Sequence, residues 1–255
     1  MVRTGLVRLG IRDRSDPTGL AVASRTDRGV SARGNALAIS SVLPPAALLR
    51  ALNGISPEVW FTHLAPIPED FRPRNASQRW YRYWERRAIE VPASWTEAAR
   101  SLEGRVDARS FGRGLPANVP TWREIDRVEP TIDHGWLVVD VRARSFVWGM
   151  VRKIIGALRE VEAGSLALGT LGDAVAGRHR LSVALAEPDR LVLWETIYPI
   201  PWELERSALT AQQERHRRAT LESAAARHEI WSRMGDRPTA PIAERAGSDG
   251  PTEPA

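Results

Sequence analysis

Cysteine is absent from all 255 residues. That excludes disulfides, thiolate zinc sites, iron–sulfur clusters and cysteine nucleophiles, and makes a reducing, cytoplasmic setting the expectation. Lysine is nearly absent too: of 36 basic residues only Lys153 is not an arginine. No stretch approaches the roughly 18 uninterrupted apolar residues that a membrane helix needs. The opening MVRTGLVRLGIRDRSDP has no apolar run followed by a small-residue cleavage site, so no secretory signal is read there. No internal repeat of roughly 20–50 residues stands out. Tyrosine is scarce, at three residues against ten tryptophans.

What is present is ordinary globular material, 43% hydrophobic and 26% charged, in a length that suits one large domain or two small ones. The formal net charge is +5 and the pI about 10.5. Arginine forks onto phosphates and stacks on bases, so this surplus suits a polyanionic partner. A genome rich in G and C writes arginine for lysine as well. That bias accounts for most of the skew and leaves nucleic-acid binding only modestly favoured.

Leu20–Ser24 is a short apolar run entering a loop with Gly29 and Gly34, and Asn35–Ser41 reads as a second strand. Pro44-Pro45 opens a helix through Leu52, stopped by Asn53-Gly54. Glu58–Ile67 reads as a strand, and Arg79–Arg86 as a long one broken by Pro92. Ser94-Trp-Thr-Glu97 has the form of a helix capping box. Strands at Arg123–Ile132 and Trp136–Arg142 flank Asp133-His134-Gly135, a hairpin turn. Ser145 is expected to cap a helix over Phe146–Glu162, where Val147, Val151, Ile154, Leu158 and Val161 form an apolar stripe. A short helix near Leu171–Ala176 and a strand at Leu191–Tyr198 follow. Consecutive strands mixed with helices predict an α+β fold with largely antiparallel sheet. Thr210–Met234 reads as an Arg-rich helical extension, and the tail beyond Gly235 as disordered.

Three segments carry residue types suited to chemistry. In Ser24-Arg-Thr-Asp-Arg-Gly-Val30, Asp27 leaves a hydrophobic strand between Arg25 and Arg28. Neighbouring cations favour the ionised carboxylate, which suits a nucleophile or base; taken alone, however, the segment reads as a plain turn. In Arg79-Trp-Tyr-Arg-Tyr-Trp84, strand periodicity puts Arg79, Tyr81 and Tyr83 on one face and Trp80, Arg82 and Trp84 on the other. That pattern fits base stacking with phosphate contact, or a sheet with one buried aromatic face and one solvated arginine face. In the third, Arg152 lies on a helix stripe between Gly149 and Gly156. Two glycines let another backbone approach while the guanidinium meets a carboxylate, or merely permit tight packing with Arg152 reaching solvent.

Together the three resemble one family. Arg25-Thr-Asp-Arg-Gly-Val30 is similar to the catalytic signature of the tRNA pseudouridine synthase A (TruA) family. Phe71…Arg74…Ala76…Arg79-x-Tyr-x-Tyr83 is similar to its second motif, and Ser145-Phe-x-x-x-Met-Val-Arg-x-Ile-x-Gly156 to its third. The likeness runs from about Leu6 to Tyr198, and the wording of Thr26–Ala32 is closer to archaeal and eukaryotic members than to bacterial ones. Gly5–Gly10 resembles the end of the family's first helix, so the family's opening strand and Tyr-Asp-Gly turn have no counterpart. The resemblance implies a pseudouridine synthase fold: two subdomains of mixed, largely antiparallel sheet flanked by helices, with a cleft between them. Residues 1–92 would form the N-terminal subdomain, lacking its first strand, and 93–204 the C-terminal one. A helical extension would span 205–234 and a disordered tail 235–255.

It further implies isomerisation of uridine to pseudouridine in tRNA, in the anticodon stem–loop, by a cytoplasmic homodimer without metal or other cofactor. Asp27 would be the catalytic carboxylate, paired with Arg152. Tyr81 would stack on the uracil, and Arg25 would fill the gap left by the flipped base. Arg28, Arg33, Arg72, Arg74, Arg79 and Arg82 are the candidate phosphate contacts. The alternative is an inactive tRNA-binding homologue that lost activity with its first strand.

Overall fold

Tyr81 and Tyr83 lie on one face of a ten-residue strand whose alternate residues are buried, and the fold is built outward from that strand. In the computed structural model, residues 21–55, 59–115, 120–200 and 210–219 are described, together with the backbone of 203–204. Along the chain come β1 (Ala21–Val22), β2 (Ser31–Ala32), β3 (Leu37–Ala38), α1 (Pro45–Asn53), β4 (His63–Leu64) and β5 (Gln78–Arg87). Then follow α2 (Ala93–Ser101), β6 (Gly104–Asp107), α3 (Ala108–Phe111), β7 (Trp122–Asp133), β8 (Trp136–Ala143), α4 (Met150–Glu162), α5 (Leu168–Val175), β9 (Leu191–Ile197) and β10 (Glu203–Leu204). A helix over 211–219, α6, closes the described chain.

The main sheet has six strands in the order β2-β9-β5-β8-β7-β6, antiparallel except for the β2–β9 pair. With helices flanking it, this is the α+β, largely antiparallel architecture expected. β7 and β8 meet at a tight hairpin where His134 and Gly135 both take positive φ (48° and 76°), the geometry of a two-residue turn that follows strand twist.

One face of the sheet carries the core. Tyr83, Leu137, Val139, Val141 and Leu193 pack against Trp95 and Leu102 at α2 and against Ile154, Ile155 and Leu158 of α4. The apolar stripe of α4 is buried throughout, as its spacing predicts. On the opposite face Trp80 and Trp84 lean on Trp194, with centroids 5.9 and 5.5 Å apart.

Several local expectations are corrected. Ser94 does not cap α2: the helix starts at Ala93 behind Pro92, with no side-chain cap bond. Ser145 does not cap α4 either. Gly149 takes φ 76° and delays the helix to Met150, leaving residues 146–149 as a loop beside the site. Asn35–Ser41 and the described part of the second expected strand, residues 59–67, shrink to two-residue strands, β3 and β4. Conversely Thr210 and Gln213 form a reciprocal cap on α6, with Thr210 N–H bonded to Gln213 Oε1 (2.8 Å) and Gln213 N–H to Thr210 Oγ1 (3.2 Å). The expectations for Gly5–Gly10 and for residues 220–255 lie outside the described residues.

Candidate active site

Asp27 sits in the loop from β1 to β2. Val30 N–H closes the turn on Asp27 O at 3.0 Å, and Gly29 takes φ +91°, a conformation side chains disfavour. Across from it, the first turn of α4 presents Arg152, whose Nη1 donates to Asp27 Oδ2 at 2.9 Å. Both side chains are largely shielded, 13% and 14% exposed, so the pair is held in low-dielectric surroundings yet reachable. Arg152 Nε donates to the Ala186 carbonyl at 2.6 Å, which fixes the plane of the guanidinium.

Tyr81 completes the group. Its ring, 8% exposed, stands edge-on to Phe146 with centroids 5.3 Å apart. Burial pushes its hydroxyl above the usual tyrosine range. The Ser24 hydroxyl and the Arg79 charge pull the other way, and the Asp27 charge adds to the rise. Phe146 lies in the loop that Gly149 keeps out of the helix, so that glycine sets where the aromatic wall stands.

The structure thus brings Asp27, Arg152 and Tyr81 together and distributes the arginines unevenly. Arg25, Arg28, Arg72 and Arg74 are exposed, as is Arg33, which stacks on Trp194 at 4.7 Å. Two of the candidate phosphate contacts are engaged within the protein. Arg79 is only 7% exposed and spends its donors on Ser24 Oγ (2.9 Å) and on the carbonyls of Ala23 (2.9 Å), Arg74 (2.9 Å) and Arg144. Its guanidinium stitches the Asp27 loop to β5. Arg82 is engaged by Asp140 through Nε (2.8 Å) and Nη2 (2.7 Å) and by Asp133 at 3.0 Å, beneath the tryptophans.

A contact absent from the sequence expectations is the segment 184–188. Ala184 lies over Gly156, where any Cβ would overlap the Ala184 carbonyl, and Pro188 lies over Gly29, 3.1 Å from where a Cβ would stand. The glycine at 156 was the one signal that another backbone passes there; nothing indicated which. Lys153, next to Arg152, donates to Ser110 O at 3.2 Å, and burial together with Arg113 lowers its pKa.

Such an arrangement, a buried-edge carboxylate gripped by one guanidinium beside an aromatic pair, can deliver an oriented anionic oxygen to a substrate. Residues 98–199 match the profile of the family described as tRNA pseudouridine synthase. The chain is 36% identical to the tRNA pseudouridine synthase A of Thermococcus kodakarensis over 196 residues, covering 76% of this chain and 73% of that one. It is 34% identical to that of Thermococcus sibiricus over 209 residues (80% and 77%) and 34% identical to that of Pyrococcus furiosus over 191 (73% and 71%).

Proposed function

The chain belongs to the tRNA pseudouridine synthase family, and we propose that it isomerises uridine to pseudouridine in tRNA, within the anticodon stem–loop, with Asp27 as its catalytic carboxylate. The observation that carries this reading is the 2.9 Å pair between Asp27, from the loop before β2, and Arg152, from α4. Two distant parts of the sequence, the loop before β2 and the first turn of α4, each supply one member.

The reaction breaks the bond from N1 to C1′, turns the uracil and joins C5 to C1′. N1 gains a proton and C5 gives one up, so nothing is oxidised or reduced. Asp27 acts on the nucleoside as nucleophile or base. Arg152 neutralises its charge and fixes which oxygen faces the substrate, which saves reorganisation when the bond breaks. Tyr81 and Phe146 give the uracil an apolar wall. Arg25, exposed beside Asp27, fills the place of the flipped nucleotide, offsetting about a few kcal/mol of lost stacking. Arg28, Arg33, Arg72 and Arg74 hold phosphates without reading sequence. Two such chains acting as a homodimer in the cytoplasm complete the proposal.

The test is pseudouridine formation on an unmodified tRNA transcript by the natural chain and by Asp27→Asn, which keeps the shape and removes the charge. Turnover is expected to fall at least about a thousandfold, with tRNA binding retained. An Asn variant near the natural rate would overturn the assignment.

A further inference from the structure

The strand and helix that bear Tyr81 and Arg152 carry a second polar cluster one step along each. Arg159, two turns after Arg152 on α4, donates through Nη2 to Glu187 Oε2 (2.7 Å), to Glu85 Oε2 (2.9 Å) and to the Tyr83 hydroxyl (3.0 Å). Tyr83, two residues after Tyr81 on β5, donates to the same Glu187 Oε2 at 2.8 Å. Tyr83 is fully buried and Glu85 nearly so, while the Glu187 side chain is 55% exposed. A half-exposed carboxylate drawn onto a buried tyrosine and a partly exposed arginine has its backbone pinned by them.

That backbone is the one Arg152 uses. Residue 186 meets Arg152 twice: Ala186 N–H donates to Arg152 O (3.1 Å), and Ala186 O accepts from Arg152 Nε (2.6 Å). Upstream, Ala184 N–H donates to Glu160 Oε1 at 3.3 Å and its carbonyl fills the space above Gly156. Downstream, Pro188 seats against Gly29 in the loop of Asp27. Residues 184–188 therefore form a strap that touches Arg152 directly and the loop of Asp27 at Gly29, and Glu187 is its anchor. The geometry points to Glu187 as a positioning residue: held by Arg159 and Tyr83, it sets the Ala186 carbonyl that aims Arg152 at Asp27. This assignment rests on the pseudouridine synthase reading for its catalytic meaning. The physical link itself stands apart from the reaction.

Glu187→Gln and Arg159→Lys each weaken the anchor without touching the reacting pair. Glu162→Gln is the control: Glu162 also ties α4 to its surroundings, accepting from Arg86 (2.5 Å) and Trp95 Nε1 (2.8 Å), but at the far end of the helix. In steady-state assays on tRNA, Glu187→Gln and Arg159→Lys are expected to lower kcat roughly ten- to a hundredfold with KM within about twofold, because a displaced Arg152 misplaces the carboxylate. Glu162→Gln is expected to keep kcat while losing thermal stability. The second readout needs no turnover. The Arg152 Nε–H signal, assigned by its loss in Arg152→Lys, is expected to exchange with solvent faster in Glu187→Gln and at the natural rate in Glu162→Gln. An unchanged kcat in Glu187→Gln, or equal losses in Glu162→Gln, would overturn the proposal, as would unaltered Arg152 exchange. If the natural chain makes no pseudouridine, the functional reading fails by itself, and the exchange measurement still decides whether the strap aims Arg152.

Discussion

The body of the sheet and the region around Asp27 are held by different forces. In the body, Ile154, Ile155, Leu158, Val139 and Val141 are completely buried in one continuous apolar layer. In the region of β1 to β3, among the described residues, the apolar cluster is Ala23, Ala76 and Tyr198, with Ala36, Phe71 and Ile200 beside it. What holds that region instead is directional: Arg79 on Ala23 and Ser24, Asn35 Nδ2 on Ser24 O at 3.0 Å, and Arg152 on Asp27. Apolar burial is strong but indifferent to orientation, whereas a guanidinium fork fixes distance and angle. Stability is concentrated in the body and alignment in the loop, and the loop borrows its alignment from arginines rooted in the body.

Truncation in the body should cost most. Ile154→Ala is expected to lower the unfolding free energy by about 3–4 kcal/mol, since it opens a cavity among fully buried neighbours; urea denaturation measures it. Arg79→Met comes next, at about 2–3 kcal/mol, because it strips donors from Ser24 Oγ and three carbonyls. Its loss should be local: hydrogen exchange is expected to quicken at Ala23, Arg33 and Gly34 while β7 and β8 stay protected. If exchange in the hairpin rises equally, the two regions unfold as one unit and the comparison fails.

The smallest effect is expected at Glu187, where Arg159 is the main cause of a pKa lowered to about 2 from 4.5. A carboxylate depressed on folding stabilises above its unfolded pKa and loses that contribution as pH falls toward the folded one. Because the side chain is half exposed, solvent screening reduces the benefit to about 1–2 kcal/mol. The stability gap between the natural chain and Glu187→Gln should hold from pH 7 to about 4.5 and narrow toward pH 2. A gap that does not change with pH would mean that the substitution acts by disturbing packing, not by removing charge.

Periodicity made the two faces of β5, the stripe of α4 and the turn at His134-Gly135 legible, because each is a local pattern that tertiary contacts reinforce. The meeting of Asp27, Arg152 and Tyr81 agrees with the reading of the three motifs together. Capping was less legible: Ser94-x-x-Glu97 has the right letters but Pro92 already starts α2, while Thr210-x-x-Gln213 forms the box. Arg79 and Arg82 looked alike in sequence to the exposed arginines. Their partners are separated from them in the chain, Asp140 by 58 residues from Arg82 and Ser24 by 55 from Arg79. The contact of the strap at 184–188 with α4 left no mark beyond Gly156, since the carbonyls of Ala184 and Ala186 act there and any residue type supplies one.

The lone lysine has a practical consequence for chemistry done on this molecule. Lys153 Nζ donates to Ser110 O, and burial, with Arg113 nearby, lowers its pKa from the usual lysine value. In a chain whose other cations are guanidinium groups, an amine-selective dye or crosslinker has a single side chain to find. That residue follows Arg152 in the first turn of α4, so a fluorophore there would report on that turn from one defined position, without a cysteine having to be introduced.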